Sequence, residues 1–245
     1  MIREPQILAC SGVLYPPEGF AHVGVQIWQA RQLAGVPRPR MCLVPTATGD
    51  AREQIDGWYR LAATFGDAEL SHLQLFTQPN VPDVRAHLLS QDVLFVSGGS
   101  VVNLLAVWRA HRLDEIMREC WEAGVVLAGQ SAGSLCWHVG GVTDSFGDAL
   151  DPVHDCLGFL PFSNGVHDDL GDQPRRDTYR RLVGGGTLPP GYASEDGVAL
   201  HYVGTRFHEA LSVLPGRNAW FVEPDGDGAS RETAIPARLW VPRAG

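Results

Sequence analysis

The stretch Gly124-Val125-Val126-Leu127-Ala128-Gly129-Gln130-Ser131-Ala132-Gly133-Ser134 runs from a hydrophobic strand through Gly-x-Ser-x-Gly into a helical pattern. That order describes a nucleophile elbow, a sharp strand-to-helix turn whose serine has strained backbone dihedrals. Small residues on either side keep the turn clear of the neighbouring strand and helix. The serine hydroxyl then stands at the carboxyl end of a sheet, and the N–H of Ala132 lies where negative charge can be stabilised. In a chain with 28 glycines the bare pattern also arises by chance. The strand before it and the helix after it give it meaning.

A second glycine turn, Val96-Ser97-Gly98-Gly99-Ser100, also lies between a predicted strand and a predicted helix. In a doubly wound sheet the carboxyl ends of neighbouring strands converge on one crevice. A Gly-Gly peptide there either aims an N–H at a substrate carbonyl or simply closes a tight turn.

Working outward, Gln6–Cys10, Arg40–Val44, His72–Phe76, Val93–Val96 and Val125–Ala128 have the composition of short strands. Between them 23–34, 51–65, 101–111 and 112–123 space apolar residues at three and four, as amphipathic helices do. This β-α-β order predicts an α/β fold with a parallel sheet covered on both faces. After about residue 140, strand-like pieces 197–203, 210–213, 219–222 and 237–241 predict antiparallel strands that extend or cap the sheet. Tyr179–Val183 reads as the core of one more short helix.

The 245 residues, 44% hydrophobic and 19% charged, suit a single catalytic domain spanning 1–245. A net charge of −9 without a basic stripe argues against nucleic acid. The N-terminal residues lack a secretory pattern, and no apolar run approaches the ~20 residues that span a bilayer. Five scattered cysteines without a C-x-x-C pair suggest buried thiols in a reducing, cytoplasmic setting, neither disulfides nor a zinc site. Neither a metal nor a cofactor is expected, and monomer or homodimer stays open.

A serine nucleophile needs a histidine base oriented by a carboxylate. Of nine histidines, His154 and His167 fall in the loop-rich segment after the elbow, and His167-Asp168-Asp169 stands between an apolar run and a polar loop. Asp144 and Glu195 are both plausible orienting acids.

Several motifs together resemble the peptidase E (aspartyl dipeptidase) family of serine peptidases, similar in fold to class I glutamine amidotransferases and cyanophycinase. They are Pro45-Thr46-Ala47, Gly98-Gly99 with Asn103-Leu104-Leu105, and Gly129 to Ser134. Further matches are 141–147, Leu157-Gly158-Phe159-Leu160-Pro161 and Glu195-Asp196-Gly197-Val198-Ala199-Leu200. The resemblance implies a three-layer, flavodoxin-like sandwich and hydrolysis of short peptides after an N-terminal aspartate. It implies Ser131 as nucleophile, His167 as base, the amides of Gly99 and Ala132 as oxyanion donors, and Gly98 in the substrate pocket. Glu195 is the favoured acid and Asp144 the second, with Arg175 or Arg176 binding the substrate carboxylate. Two departures stand out: Cys10-Ser11-Gly12-Val13-Leu14 replaces the family's glycine-rich first turn, and Val166-His167-Asp168-Asp169 its Pro-His-Tyr-Asp. The rivals are a broader or β-aspartyl peptidase, an esterase of another α/β fold, and an inactive binding homologue. A glutaminase would need cysteine at position 131.

Overall fold

The computed structural model of the protein describes residues 4–13, 19–62 and 67–240. Leu14, the end of the expected 51–65 helix and Val241 lie outside the described residues. The first half alternates β1 (Gln6–Cys10), α1 (Gly19–Leu33), β2 (Arg40–Val44), α2 (Arg52–Ala62), β3 (Glu69–His72) and α3 (Val84–Leu89). It continues through β4 (Val93–Val96), α4 (Val101–Ala110), α5 (Leu113–Glu122), β5 (Val126–Gln130) and the one-turn α6 (Ala132–Leu135). Three short strands follow, β6 (Gly140–Thr143), β7 (Asp151–His154) and β8 (Ser163–Gly165), and then α7 (Arg175–Gly184). The chain closes with β9 (Gly191–Ser194), β10 (Val198–Val203), β11 (Arg206–Ser212), β12 (Asn218–Gly226), β13 (Ala229–Pro236) and β14 (Arg238–Leu239).

These strands form two sheets, one of eight strands in the order β14-β11-β10-β1-β5-β4-β2-β3 and one of six in the order β13-β12-β9-β8-β6-β7. In the larger sheet β1, β5, β4, β2 and β3 are parallel, as the sequence predicts, although β3 lies at Glu69–His72, ahead of the expected His72–Phe76, and β10 joins β1 antiparallel. The late strands divide between the sheets. Those at 197–203 and 210–213 extend the first sheet as β10 and β11, whereas 219–222 belongs to β12 in the second. The second sheet was not foreseen as a separate layer.

Alternation along each strand explains the sandwich, because successive side chains face opposite sides. Leu8, Leu43, Phe95 and Ala128 pack with Ile27 and Ala30 of α1 and Ile55 and Trp58 of α2. Their neighbours Ile7, Val44, Val96 and Leu127 pack the other way, against Val101 and Leu104 of α4 and Met117 of α5. The same second cluster takes in Val166, Tyr192 and Ala219, so the two sheets share core. A ladder of rings, Trp108 to Trp137 at 5.9 Å, Trp137 to Phe159 at 5.9 Å and Phe159 to Trp121 at 5.6 Å, lies behind α6 and gives the elbow a rigid backing.

The connections after β2 and β4 leave in opposite directions across the sheet, which makes the β2/β4 boundary a topological switch point. Both expected glycine turns therefore reach the same crevice, one from β4 and the other from the adjacent β5.

Burial also sets acid stability. His138 is fully buried, its Nδ1 2.9 Å from the Ser134 carbonyl, and burial pulls its pKa down to about 4; burial likewise lowers His201 to about 4. A histidine depressed in the fold is neutral in both states above pH 6.5. Between 6.5 and 4 the unfolded chain takes up a proton that the fold refuses, so stability falls as pH falls. For His138 the slope is ~1.4 kcal/mol per pH unit. Thermal melting between pH 7 and 4 should show this loss, and His138→Gln should make it shallower, leaving the share that His201 contributes. An unchanged slope in the variant would contradict the assignment.

Candidate active site

Ser131 caps α6 at φ 53°, ψ −110°, a conformation unusual for any residue with a side chain. Its amide donates to the Cys10 carbonyl at 3.0 Å, tying the elbow to the end of β1. The flanking glycines are sterically required. A Cβ on Gly133 would stand 2.4 Å from the Val96 carbonyl oxygen, and one on Gly129 2.5 Å from the Gly133 oxygen. Gly99 is equally constrained at φ 136°, where a Cβ would lie 2.3 Å from the Ala47 oxygen. A Cβ on Gly98 would come within 3.3 Å of the Ser131 Cβ, so the two glycine turns meet at Ser131.

The imidazole of His167 completes the approach. Its Nε2 lies 3.0 Å from Ser131 Oγ, and its Nδ1 lies 2.5 Å from Asp196 Oδ1. His167 is itself at φ 57°, just after β8, and is 2% exposed. Its amide donates to Ser11 Oγ at 2.7 Å, and Ser11 Oγ donates onward to the Ser194 carbonyl at 3.0 Å. Gly12, at φ 104°, leaves room for the ring, since a Cβ there would be 3.1 Å from His167 Cε1. The departure at Ser11-Gly12 thus has a local function: one residue holds the histidine backbone and the next makes space for its side chain.

The carboxylate at His167 is neither of the two that sequence analysis weighed. Glu195 Oε2 accepts the Asn218 amide at 2.8 Å, and burial raises its pKa. Asp144 accepts from Arg175 Nη2 at 2.6 Å. Asp196 occupies the position instead, because consecutive residues leaving β9 point to opposite sides. Asp169 supports it: its Oδ1 accepts the Asp196 amide at 2.7 Å while its other oxygen pairs with Arg217. The signal available in sequence was the motif Glu195-Asp196-Gly197 itself, whose glycine at φ 85° turns the chain directly after the acid.

The expected arginines are both engaged. Arg175, 7% exposed at the side chain, is held by Asp144 and by Gln173 Oε1 at 2.7 Å. Arg176 pairs with Asp168 at 2.7 Å and with Glu232, and lies over the Trp220 ring. Asp168, the acid next to the histidine, is turned away from the pocket into Arg176 and Arg180. Burial raises its pKa against the pull of the two guanidiniums.

A pocket of about 310 Å³ opens over Ser131 and His167, with Gly12, Val13, Thr48, Gln54, Gly98, Gly99 and Gln130 in its walls. Apart from the His167 imidazole, the described residues of this wall carry no ionisable side chain. All five cysteines are buried and unpaired, and burial lifts the Cys10 and Cys136 thiols well above the usual range. Among the described residues one grouping has metal-ligand character, His201, His208 and Glu209, with ligand atoms within 4.8 Å of one another. It lies on β10 and β11, where Arg238 holds both oxygens of Glu209. The arrangement at Ser131 can deprotonate a hydroxyl and return the proton to a leaving group without a metal.

The glycine requirement is testable. Gly133→Ala forces a Cβ into the Val96 carbonyl and should lower unfolding free energy by about 3 kcal/mol, the upper range for overpacking. Denaturant titration would check it, and a loss below about 0.5 kcal/mol would contradict the packing described here.

The comparisons with known proteins place the chain in a family and a fold. The family model for peptidase family S51 matches residues 7–210. The uncharacterized peptidase YgaJ of Bacillus subtilis strain 168 is 40% identical over 185 residues, which is 76% of this chain and 78% of that protein. A crystal structure of a peptidase from an acI-B1 Actinobacterium superposes with a TM-score of 0.68 at 15% identity, covering 96% of each chain. A candidate peptidase E from Listeria monocytogenes EGD-e does so with a TM-score of 0.63 at 16% identity, over 86% of this chain and all of the other. The last two carry the fold alone, whereas the family match and the Bacillus relative carry more: the chain belongs to peptidase family S51.

Proposed function

We propose that the protein is a serine peptidase that cleaves short peptides through a Ser131–His167–Asp196 triad. The observation that carries this reading is the continuous chain from Ser131 Oγ to His167 Nε2 at 3.0 Å and from His167 Nδ1 to Asp196 at 2.5 Å. With Asp196 ionised, Nδ1 keeps its proton and Nε2 presents a lone pair to the serine. His167 takes the hydroxyl proton as Ser131 Oγ attacks the carbonyl carbon. The amides of Gly99 and Ala132 stabilise the oxyanion. The imidazolium then gives its proton to the leaving amine, and the acyl-enzyme remains. Water, deprotonated by the same nitrogen, releases the acid and regenerates Ser131.

For specificity we propose an N-terminal aspartate, bound by Arg175. The supporting observation is where its partner stands. Asp144 is 43% exposed at the side chain, and the next residue, Ser145, accepts the Val101 amide through Oγ at 3.0 Å, two residues from Gly99. A substrate carboxylate arriving at that rim can replace Asp144 on a guanidinium whose fork suits it. The neutral pocket wall favours a second reading, a broader or β-aspartyl specificity with Arg175 left on Asp144. The five buried, unbridged thiols suit the cytoplasmic location that we propose for it.

Hydrolysis of Asp-Leu, Asn-Leu, Glu-Leu, Ala-Leu and β-Asp-Leu separates these readings. Asp-Leu should be cleaved fastest, Ser131→Ala should lower kcat by ~10⁴-fold or more, and Arg175→Ala should raise KM for Asp-Leu alone. Equal rates on Asp-Leu and Ala-Leu would leave the peptidase and remove the aspartate specificity. In the same assay Asp196→Asn should cost ~10⁴-fold in kcat. A larger loss in Glu195→Gln or Asp144→Asn would reject Asp196 as the orienting acid.

A further inference from the structure

Behind the catalytic pocket lies a second, smaller cavity of about 70 Å³ on the face of the sheet covered by α1 and α2. Val23, Ile27, Leu43, Trp58, Leu61 and Phe95 supply its apolar wall. It shares Gln54 and Gln130 with the pocket over Ser131, so these two side chains border both spaces. Three of its lining residues hold a buried polar atom that has no hydrogen-bond partner: Ser97 Oγ, Trp58 Nε1 and Gln130 Oε1. Ser97 and Trp58 are 1% and 2% exposed. Buried polar atoms are rarely left unpaired, because each forgoes the hydrogen bonds it made to water. A cavity that holds a donor, an acceptor and a hydroxyl therefore asks for an occupant that both donates and accepts.

The position of the chamber says which part of a substrate that is. Ser131 stands at the carboxyl edge of the sheet. Arg175, Asp144 and Ser145 gather beside Val101, which packs on the α4 face. Ile27, Leu43, Trp58 and Phe95 pack on the opposite face. The two sides of a scissile bond at Ser131 thus meet different surroundings, a guanidinium on one side and a neutral chamber on the other. We propose that the chamber is the subsite for the side chain of the leaving residue, and that it takes a short, uncharged side chain bearing a hydroxyl or a primary amide. This inference rests on the peptidase reading above. Size restricts the occupant further: a cavity of about 150 Å³ admits benzene, so one of half that volume takes a threonine- or asparagine-sized group and refuses an aromatic ring.

Threonine and valine are nearly isosteric, which isolates the polar contribution. The first residue of the dipeptide is held at whichever one wild type cleaves fastest, and the second is varied among Gly, Val, Thr, Asn, Phe and Arg. Wild type should prefer Thr over Val by about tenfold in kcat/KM, with Phe and Arg poorest. Ser97→Ala should bring the Thr/Val ratio close to one. Val23→Phe, which fills the chamber, should bring Thr down to the rate of Gly. Each ratio compares substrates within a single preparation, so partial misfolding of a variant does not imitate the effect. Ser131-dependent cleavage with equal rates on Thr and Val would overturn the subsite and leave the peptidase standing. Cleavage of no member of the set would remove the peptidase reading and the subsite together.

Discussion

The hydroxyl of Ser11 joins the two halves of the active site. It accepts the His167 amide and donates to the Ser194 carbonyl, and Ser11 is completely buried. Ser131 belongs to the eight-stranded sheet, whereas His167 follows β8 and Asp196 follows β9 of the six-stranded one. A serine carried by one sheet and a histidine carried by the other keep a 3.0 Å separation only if the sheets are fixed in register. Ser11, at the end of β1, is the physical link, reinforced by the Gly197 amide on the Gly12 carbonyl at 2.7 Å and the Asp168 amide on Ser194 at 3.0 Å. The strain at Ser131 and His167, both at positive φ, is tolerated because these bonds and the aromatic backing leave little alternative.

Around that link the charged side chains act as struts. All 19 basic residues of the chain are arginines. Asp168 is sunk between Arg176 and Arg180, both of which also reach Glu232 and lie over Trp220. This network clamps α7 and the β12–β13 hairpin onto the loop that carries His167. Planar forks suit it, since one guanidinium serves two carboxylates at once. An arginine paired in this way is poorly available to substrate, whereas Arg175 has a partner exposed at the rim.

The parallel core was legible in sequence because its strands are short, apolar and separated by amphipathic helices. The elbow was legible because the glycines that avoid the Val96 carbonyl are part of the motif. His167 emerged from residue types only as one of two candidates, and the resemblance to peptidase E selected it. The acid was not legible. Glu195 and Asp196 are adjacent, and what separates them is the pairing of β9 with β12, which turns Glu195 to the Asn218 amide 23 residues away. The second sheet escaped for a similar reason. β6, β7 and β8 are three or four residues long and contain Gly, Pro, Ser and Asn; β7 pairs with β6 next to it in sequence, whereas β8 reaches back to β6 and forward across α7 to β9. Neither composition nor periodicity marks such strands.

The central claim is that His167 activates Ser131, and covalent trapping tests it most directly. The protein would be treated with a serine-directed fluorophosphonate across pH 5 to 9, and the adduct mapped by peptide mass spectrometry. A single adduct is expected, on Ser131, and its rate of formation should collapse in His167→Gln. Labelling elsewhere, or labelling of Ser131 at an undiminished rate in His167→Gln, would contradict it.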